Sequence, residues 1–262
     1  MDRPPRHPLR VPSWPRPAPS PPDFAAIRAE LGVPEEFPAD ALAEAEAVAA
    51  RPPLPELDAT DVELVTLDPP GSRDLDQAVH LAARDGGFRV TYAIADVGGF
   101  VRLGGALDAA ARRRGQTVYS PDRRVPLHPT VLSEGAASLL PGQITPAVVW
   151  TLDLDADGEL TDSLVRRARV RSRAQLDYPG VQAQADAGTL PEPLALLPRI
   201  GRLLLDRAER RALDAGRPEL RLLTNGAFAA NVLLYKSHGY TIDREEPFMG
   251  GMTVYMSKRS TR

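Results

Sequence analysis

TLDPPGSRDLDQAVHL, residues 66 to 81, places three aspartates, Asp68, Asp74 and Asp76, around a Pro-Pro-Gly turn. Apolar residues of strand type lead into the turn, and they resume directly after it. Carboxylates this close repel one another unless a positive charge sits among them. Two arrangements meet that demand. One is a divalent ion, since hard carboxylate oxygens are preferred ligands of magnesium and manganese. Two such ions a few ångströms apart can clamp the attacking and leaving oxygens of a phosphodiester. The other is a wet acidic surface turn whose aspartate caps the next element. Spacing alone leaves both open.

Outward from the loop, the pattern reads as mixed α/β (α+β). "DVELVTL" (61–67) predicts a strand entering the loop. "AVHLAAR" and "FRVTYAIADV" predict two more strands joined by a Gly turn, with Phe88, Val90, Tyr92 and Ile94 along one face. "LDAAARRRG" predicts a short helix ended by Gly115. Residues 147–173 predict a hairpin whose second arm is basic, with Arg167, Arg169, Arg171 and Arg173 alternating on one face. Such a row suits the tracking of phosphates or a solvated strand face. An amphipathic helix is expected from Glu192 to Ala215, and two more before the loop, in "PDFAAIRAELG" and "PADALAEAEAVAA".

Bulk composition bounds the rest. At 262 residues, 43% hydrophobic and 26% charged, the chain has the makeup of a soluble globular protein. A net charge of −3 excludes a histone-like polycation but not a local basic groove. Zero cysteines exclude disulfide-linked partners and cysteine-ligated zinc, and fit a cytoplasmic setting. No apolar run reaches the roughly 18 residues of a membrane span. Residues 1–22 hold nine of the 27 prolines, interleaved with arginines, and predict a disordered arm.

"YAIADVGGFV", "RRRGQTVYSPDRRVPLHPTVLSEGAASLLPG", "LDLDADGEL" and "RVRSRAQLDYPGVQ" follow the aspartate loop in that order. Over about residues 60–215 this series resembles the catalytic RNB domain of the ribonuclease II family. The resemblance implies a magnesium-dependent exoribonuclease (manganese as a second possibility) that degrades single-stranded RNA from its 3′ end to nucleoside 5′-monophosphates. It implies that Asp68, Asp74 and Asp76 ligate metal, with Asp74 and Asp76 catalytic and Asp76 nearest the scissile phosphate. Gln77 stands where the family pattern has a fourth aspartate. Tyr119 is similar to the aromatic residue that stacks on terminal bases, and Tyr178 to the one that clamps the 3′ nucleotide. Arg167, Arg169 and Arg171 are the expected RNA contacts of the basic arm. The alternative is a noncatalytic RNA-binding remnant of such an enzyme.

Two features stand apart. "DLDADGEL", from Asp153, copies the start of a calcium-binding loop, but Leu164 occupies the twelfth position where a bidentate Glu belongs. It is read as a hairpin turn. Beyond residue 218 the composition changes: both lysines, Lys236 and Lys258, and both asparagines, Asn225 and Asn231, lie there. That tail resembles the end of a GNAT N-acetyltransferase, with Asn231, Tyr235, Gly239 and Tyr240 on its helix–strand element. Acetyl transfer is the weaker alternative, because the Gly-rich loop that would hold the cofactor's pyrophosphate has no counterpart in the preceding sequence. The expected organisation is an arm (1–22), a helical segment (23–58), a partial, truncated RNB domain (59–218) and a GNAT-like end (219–262).

Overall fold

Alternating apolar residues on either side of a Gly turn build the centre of the fold. The structure, a computed structural model, describes residues 23–226, 229–248 and 251–260; the Pro/Arg-rich arm lies outside them. Strands β2 (Gln77–Arg84) and β3 (Gly87–Ala95) follow β1 (Val65–Asp68). Short β4 (Val118–Tyr119) and β5 (Arg124–Val125) pair with each other as a hairpin. The long hairpin expected over 147–173 is β6 (Ile144–Asp155) and β7 (Leu160–Arg171), and β8 (Ala174–Asp177) follows.

These strands, apart from β4 and β5, form one six-stranded sheet in the order β7-β6-β3-β2-β1-β8. All neighbours are antiparallel except β1 and β8, whose parallel register sets Asp68 level with Asp177. The strand entering the loop starts later than the pattern predicts, at Val65. Local turns hold the chain before it, with Val62 N donating to Ala59 O and Leu64 N to Val62 O.

Each face of the sheet carries a packed cluster, while the outer half of β7 stays exposed. On one, helix α5 (Leu197–Asp214) packs Ile200 and Leu203 against Leu81, Phe88 and Val90. The row expected on β3 is therefore closed at Phe88, 2% exposed, and open at Ile94, 37% exposed, near the aspartate loop. Helix α5 begins at Leu197 rather than Glu192, with Pro198 in its first turn, where proline's missing N–H costs nothing. On the other face, Leu64, Ala78, Ala93, Ala147 and Ala168 cluster with Leu75 and Leu139, which reach in from loops.

Helices α1 (Phe24–Glu30), α2 (Ala39–Ala49) and α3 (Ala106–Arg114) form where the periodicity places them. Gly115 ends α3 at φ +73°, a conformation that glycine adopts without strain. Helix α4 (Tyr178–Ala187) leaves the end of β8, capped by the Asp177 carboxylate on Gly180 N at 2.7 Å.

The last segment is a small layer of its own. Strands β9 (Glu219–Asn225), β10 (Thr241–Phe248) and β11 (Gly251–Arg259) form an antiparallel sheet in the order β10-β11-β9. Helix α6 (Ala229–Ser237) carries Asn231 and Tyr235, and Tyr240 precedes β10, so the helix–strand order matches the expected element. Lys258 Nζ reaches Glu209 Oε2 on α5 at 2.6 Å and ties this layer to the larger sheet. Among the described residues no helix is long and apolar enough to cross a membrane.

Leu75, fully buried between two aspartates, is the loop's anchor in the core. Leu75→Ala is expected to lower stability by about 2–5 kcal/mol, the usual range for a cavity of that size. Urea denaturation followed by circular dichroism measures it.

Candidate active site

The aspartate loop is held in one shape by its own main chain. Pro70 and Gly71 form the corner of a turn closed by Ser72 N donating to Pro69 O, and Gly71 takes φ +82°. That is the type II arrangement, which places proline second and glycine third. Leu75 then enters the core. Its N–H donates to Ser138 Oγ at 2.9 Å, and Ser138 Oγ donates to Arg73 O at 2.7 Å. Leu139 N donates to Leu75 O, Ala95 N to Asp76 O, and Gln175 Nε2 to Ser72 O. With Leu75 turned inward, Asp74 and Asp76 on either side line an open cleft.

That cleft, about 390 Å³, lies between the loop and the β4–β5 hairpin. Asp74, Asp76 and Gln77 line one part, and Tyr119, Arg124 and His128 the other. Tyr119 is 74% exposed, so its ring is free to stack. Arg124 joins the two sides: its guanidinium contacts Asp74 at 2.5 Å and also pairs with Glu134. Although burial works against its charge, these carboxylates raise the Arg124 pKa.

Asp68, at the end of β1, has Oδ2 buried with no hydrogen-bond partner. Burial, reinforced by Asp74, raises its pKa. Asp76 is solvent-accessible as a residue, but its carboxyl lies against the cleft; loss of water there, then Asp74 and Asp68, push its pKa up. Gln77 accepts a short hydrogen bond from the Tyr92 hydroxyl. Tyr178, half exposed at the start of α4, follows Asp177 and so emerges beside Asp68. An orphaned carboxylate oxygen in a hard-oxygen donor set fits a divalent cation. Asp74 and Gln77, however, already have partners, and among the described residues no three His, Asp or Glu side chains group around one point.

The structure brings Asp68, Asp74, Asp76, Tyr119 and Tyr178 to one end of the sheet. None of the three arginines expected to contact RNA lines the cleft. Arg167 pairs with buried Asp96 at 3.0 Å. Arg169 binds the Pro55 and Glu56 carbonyls and the Asp58 carboxylate. Arg171 Nε is buried without a partner. The turn after Asp153 does join β6 to β7, and Asp153 itself is paired with Arg84 and Arg89. Sequence reasoning missed Tyr92, Arg124 and His128. Arg124 is one of two adjacent arginines in "PDRRVP", and nothing in the sequence distinguishes them.

A family model for the RNB domain matches residues 57–238. The chain belongs to the RNB family. The match begins close to the boundary read from the sequence and runs past the compositional break at 218. Ribonuclease R of Acidithiobacillus ferrooxidans is 34% identical over 181 residues, which cover 67% of this chain and 41% of that protein. The chain thus spans well under half the length of this curated relative. Ribonuclease R of Mycoplasma genitalium, solved in complex with double-stranded RNA, superposes with a TM-score of 0.65 at 24% identity, covering 72% of this chain and 35% of that one. Yeast Ssd1, described as a pseudonuclease, superposes at 0.52 and 19% identity over 67% of this chain and 21% of its own. The RNB fold therefore occurs both in chains named as nucleases and in one named as a pseudonuclease.

The raised carboxylates give a stability test. A group whose pKa is higher folded than unfolded stabilises the fold at low pH, and that gain is lost as pH rises through the folded value. At neutral pH the Asp76 charge thus opposes folding. Asp76→Asn is expected to raise the melting temperature in metal-free buffer at pH 7 and to leave it unchanged near pH 3, measured by calorimetry.

Proposed function

We propose that this protein is a magnesium-dependent exoribonuclease that hydrolyses single-stranded RNA from its 3′ end to nucleoside 5′-monophosphates. The observation that carries the proposal is the shared cleft: Asp74 and Asp76 face the same space as exposed Tyr119. A phosphodiesterase working along a single strand needs that pairing, because acidic groups must meet a phosphate while an aromatic ring holds the adjoining base. Base–aromatic stacking is worth about 1–3 kcal/mol per base and tolerates any sequence.

Asp68 and Asp76 are the residues that would hold magnesium, with manganese as a substitute, while Asp74 is held by Arg124. When bound, the ion would supply charge neutralisation at the phosphate and activation of water. Gln77, neutral and engaged by Tyr92, lowers the negative charge of the site relative to the four-aspartate pattern. Tyr119 and Tyr178 would position the terminal nucleotides. Arg124 keeps Asp74 from repelling the incoming backbone. The second reading, a noncatalytic RNA-binding protein, draws on the ion pair between Asp74 and Arg124, since a carboxylate held that way is withdrawn from a cation.

Labelled oligoadenylate incubated with and without magnesium separates the two. Nucleoside monophosphate release that requires magnesium supports the nuclease, and binding without product supports the second reading. Asp76→Asn is expected to abolish hydrolysis while binding survives or tightens, because a charge repelling phosphate is gone. Undiminished hydrolysis by purified Asp76→Asn removes Asp76 from the mechanism.

A further inference from the structure

The hairpin that carries Tyr119 and Arg124 has strands of two residues each, Val118–Tyr119 and Arg124–Val125. Even a longer isolated hairpin is marginal in water, so its order must come from elsewhere. The turn, Ser120 to Arg123, is gripped by Arg28, a residue of α1 that is 4% exposed. Arg28 Nη1 donates to Ser120 Oγ at 2.8 Å and to both Asp122 oxygens at 2.7 and 2.9 Å. Its Nε donates to Glu35 Oε1 at 2.6 Å, and Glu35 Oε2 accepts from Arg123 Nη1 at 2.9 Å. Ser120 Oγ passes the link on to Arg123 O at 2.7 Å. The far side of the hairpin is tied to the same segment. The Phe37 ring lies 3.6 Å from the Arg114 guanidinium, and Arg114 Nη1 donates to Pro126 O at 3.1 Å.

Arg28, Glu35 and Phe37 all precede residue 57, where the family match begins. We propose that the segment from Arg28 to Phe37 is a clamp that positions the Tyr119 hairpin over the acidic loop, with Arg28 as its central positioning residue. Neither Arg28 nor Glu35 lines the cleft; both act through the turn. The guanidinium suits this work, because one rigid plane reaches the Asp122 carboxylate and the Ser120 hydroxyl through Nη1 and Glu35 through Nε. Lysine at this position would keep the charge and lose the second nitrogen, and with it the simultaneous hold on the turn and on Glu35. The consequence for RNA rests on the stacking role of Tyr119 given above.

Residue-resolved hydrogen exchange of the full chain tests the clamp without RNA. Arg28→Ala is expected to speed exchange at 117–125 while β3 and β6 keep their protection, with Arg28→Lys showing most of the same loosening. Unchanged exchange at 117–125 overturns the clamp, and so does uniform loosening of the whole molecule. Should Arg28→Ala fail to fold, Asp122→Asn on the exposed turn puts the same question. Oligoadenylate binding to Arg28→Ala, Tyr119→Ala and the double variant then tests the consequence. Each single variant is expected to weaken binding about tenfold or more, and the double variant no further than Tyr119→Ala alone. Additive losses overturn action through Tyr119. Unchanged binding in Tyr119→Ala itself removes the stacking role, while the exchange result still decides the clamp.

Discussion

One buried leucine between two carboxylates sets the rest of the site. Leu75 contributes a full side chain to the cluster under the sheet, and its two neighbours are too polar to follow it. Adjacent residues of an extended segment point to opposite sides, so burying Leu75 turns Asp74 and Asp76 out together. Ser138 and Leu139 then satisfy the loop's N–H and C=O groups at the point where it dives inward. Buried main-chain groups without such partners would make the excursion costly. The carboxylates are thus brought near one another by apolar burial and main-chain hydrogen bonds, with charge working against them.

That opposition explains the second part of the architecture. Asp68 and Asp76 are pushed toward their neutral forms by burial and by their neighbours, and Asp74 is held by Arg124. Arg124 arrives on a hairpin that cannot stand alone and is itself braced by Arg28 and Phe37. A line of polar contacts therefore runs from the first helix through the hairpin to the acidic loop, and Tyr119 sits on the middle of that line.

Much of the fold was legible in the sequence because its elements carry strong periodicity. The hairpins β2–β3 and β6–β7 and the helices α1 to α3 appear where alternation and helical spacing place them. Pairings between distant segments were not legible. Nothing local announces that β8 lies parallel to β1 and brings Tyr178 beside Asp68; only the motif resemblance singled that tyrosine out. The β4–β5 hairpin is too short to leave a period. The arginine row on β7 shows the limit from the other direction: alternation identified a shared face but not what covers it. There, Arg169 and Arg173 fasten residues 55–60 through the carbonyls of Pro55, Glu56 and Thr60. For the site, residue types were readable, whereas Arg124 and His128 became visible only once the cleft had walls.

The most direct test of this account is where a divalent cation binds first. Manganese titrated into isotopically labelled protein broadens amide signals near its site. The account predicts that residues 68 and 74–77 broaden at the lowest manganese concentrations, and that Asp76→Asn removes the effect. Broadening that begins instead at the Asp153–Asp157 turn, or that shows no preferred location, would contradict it.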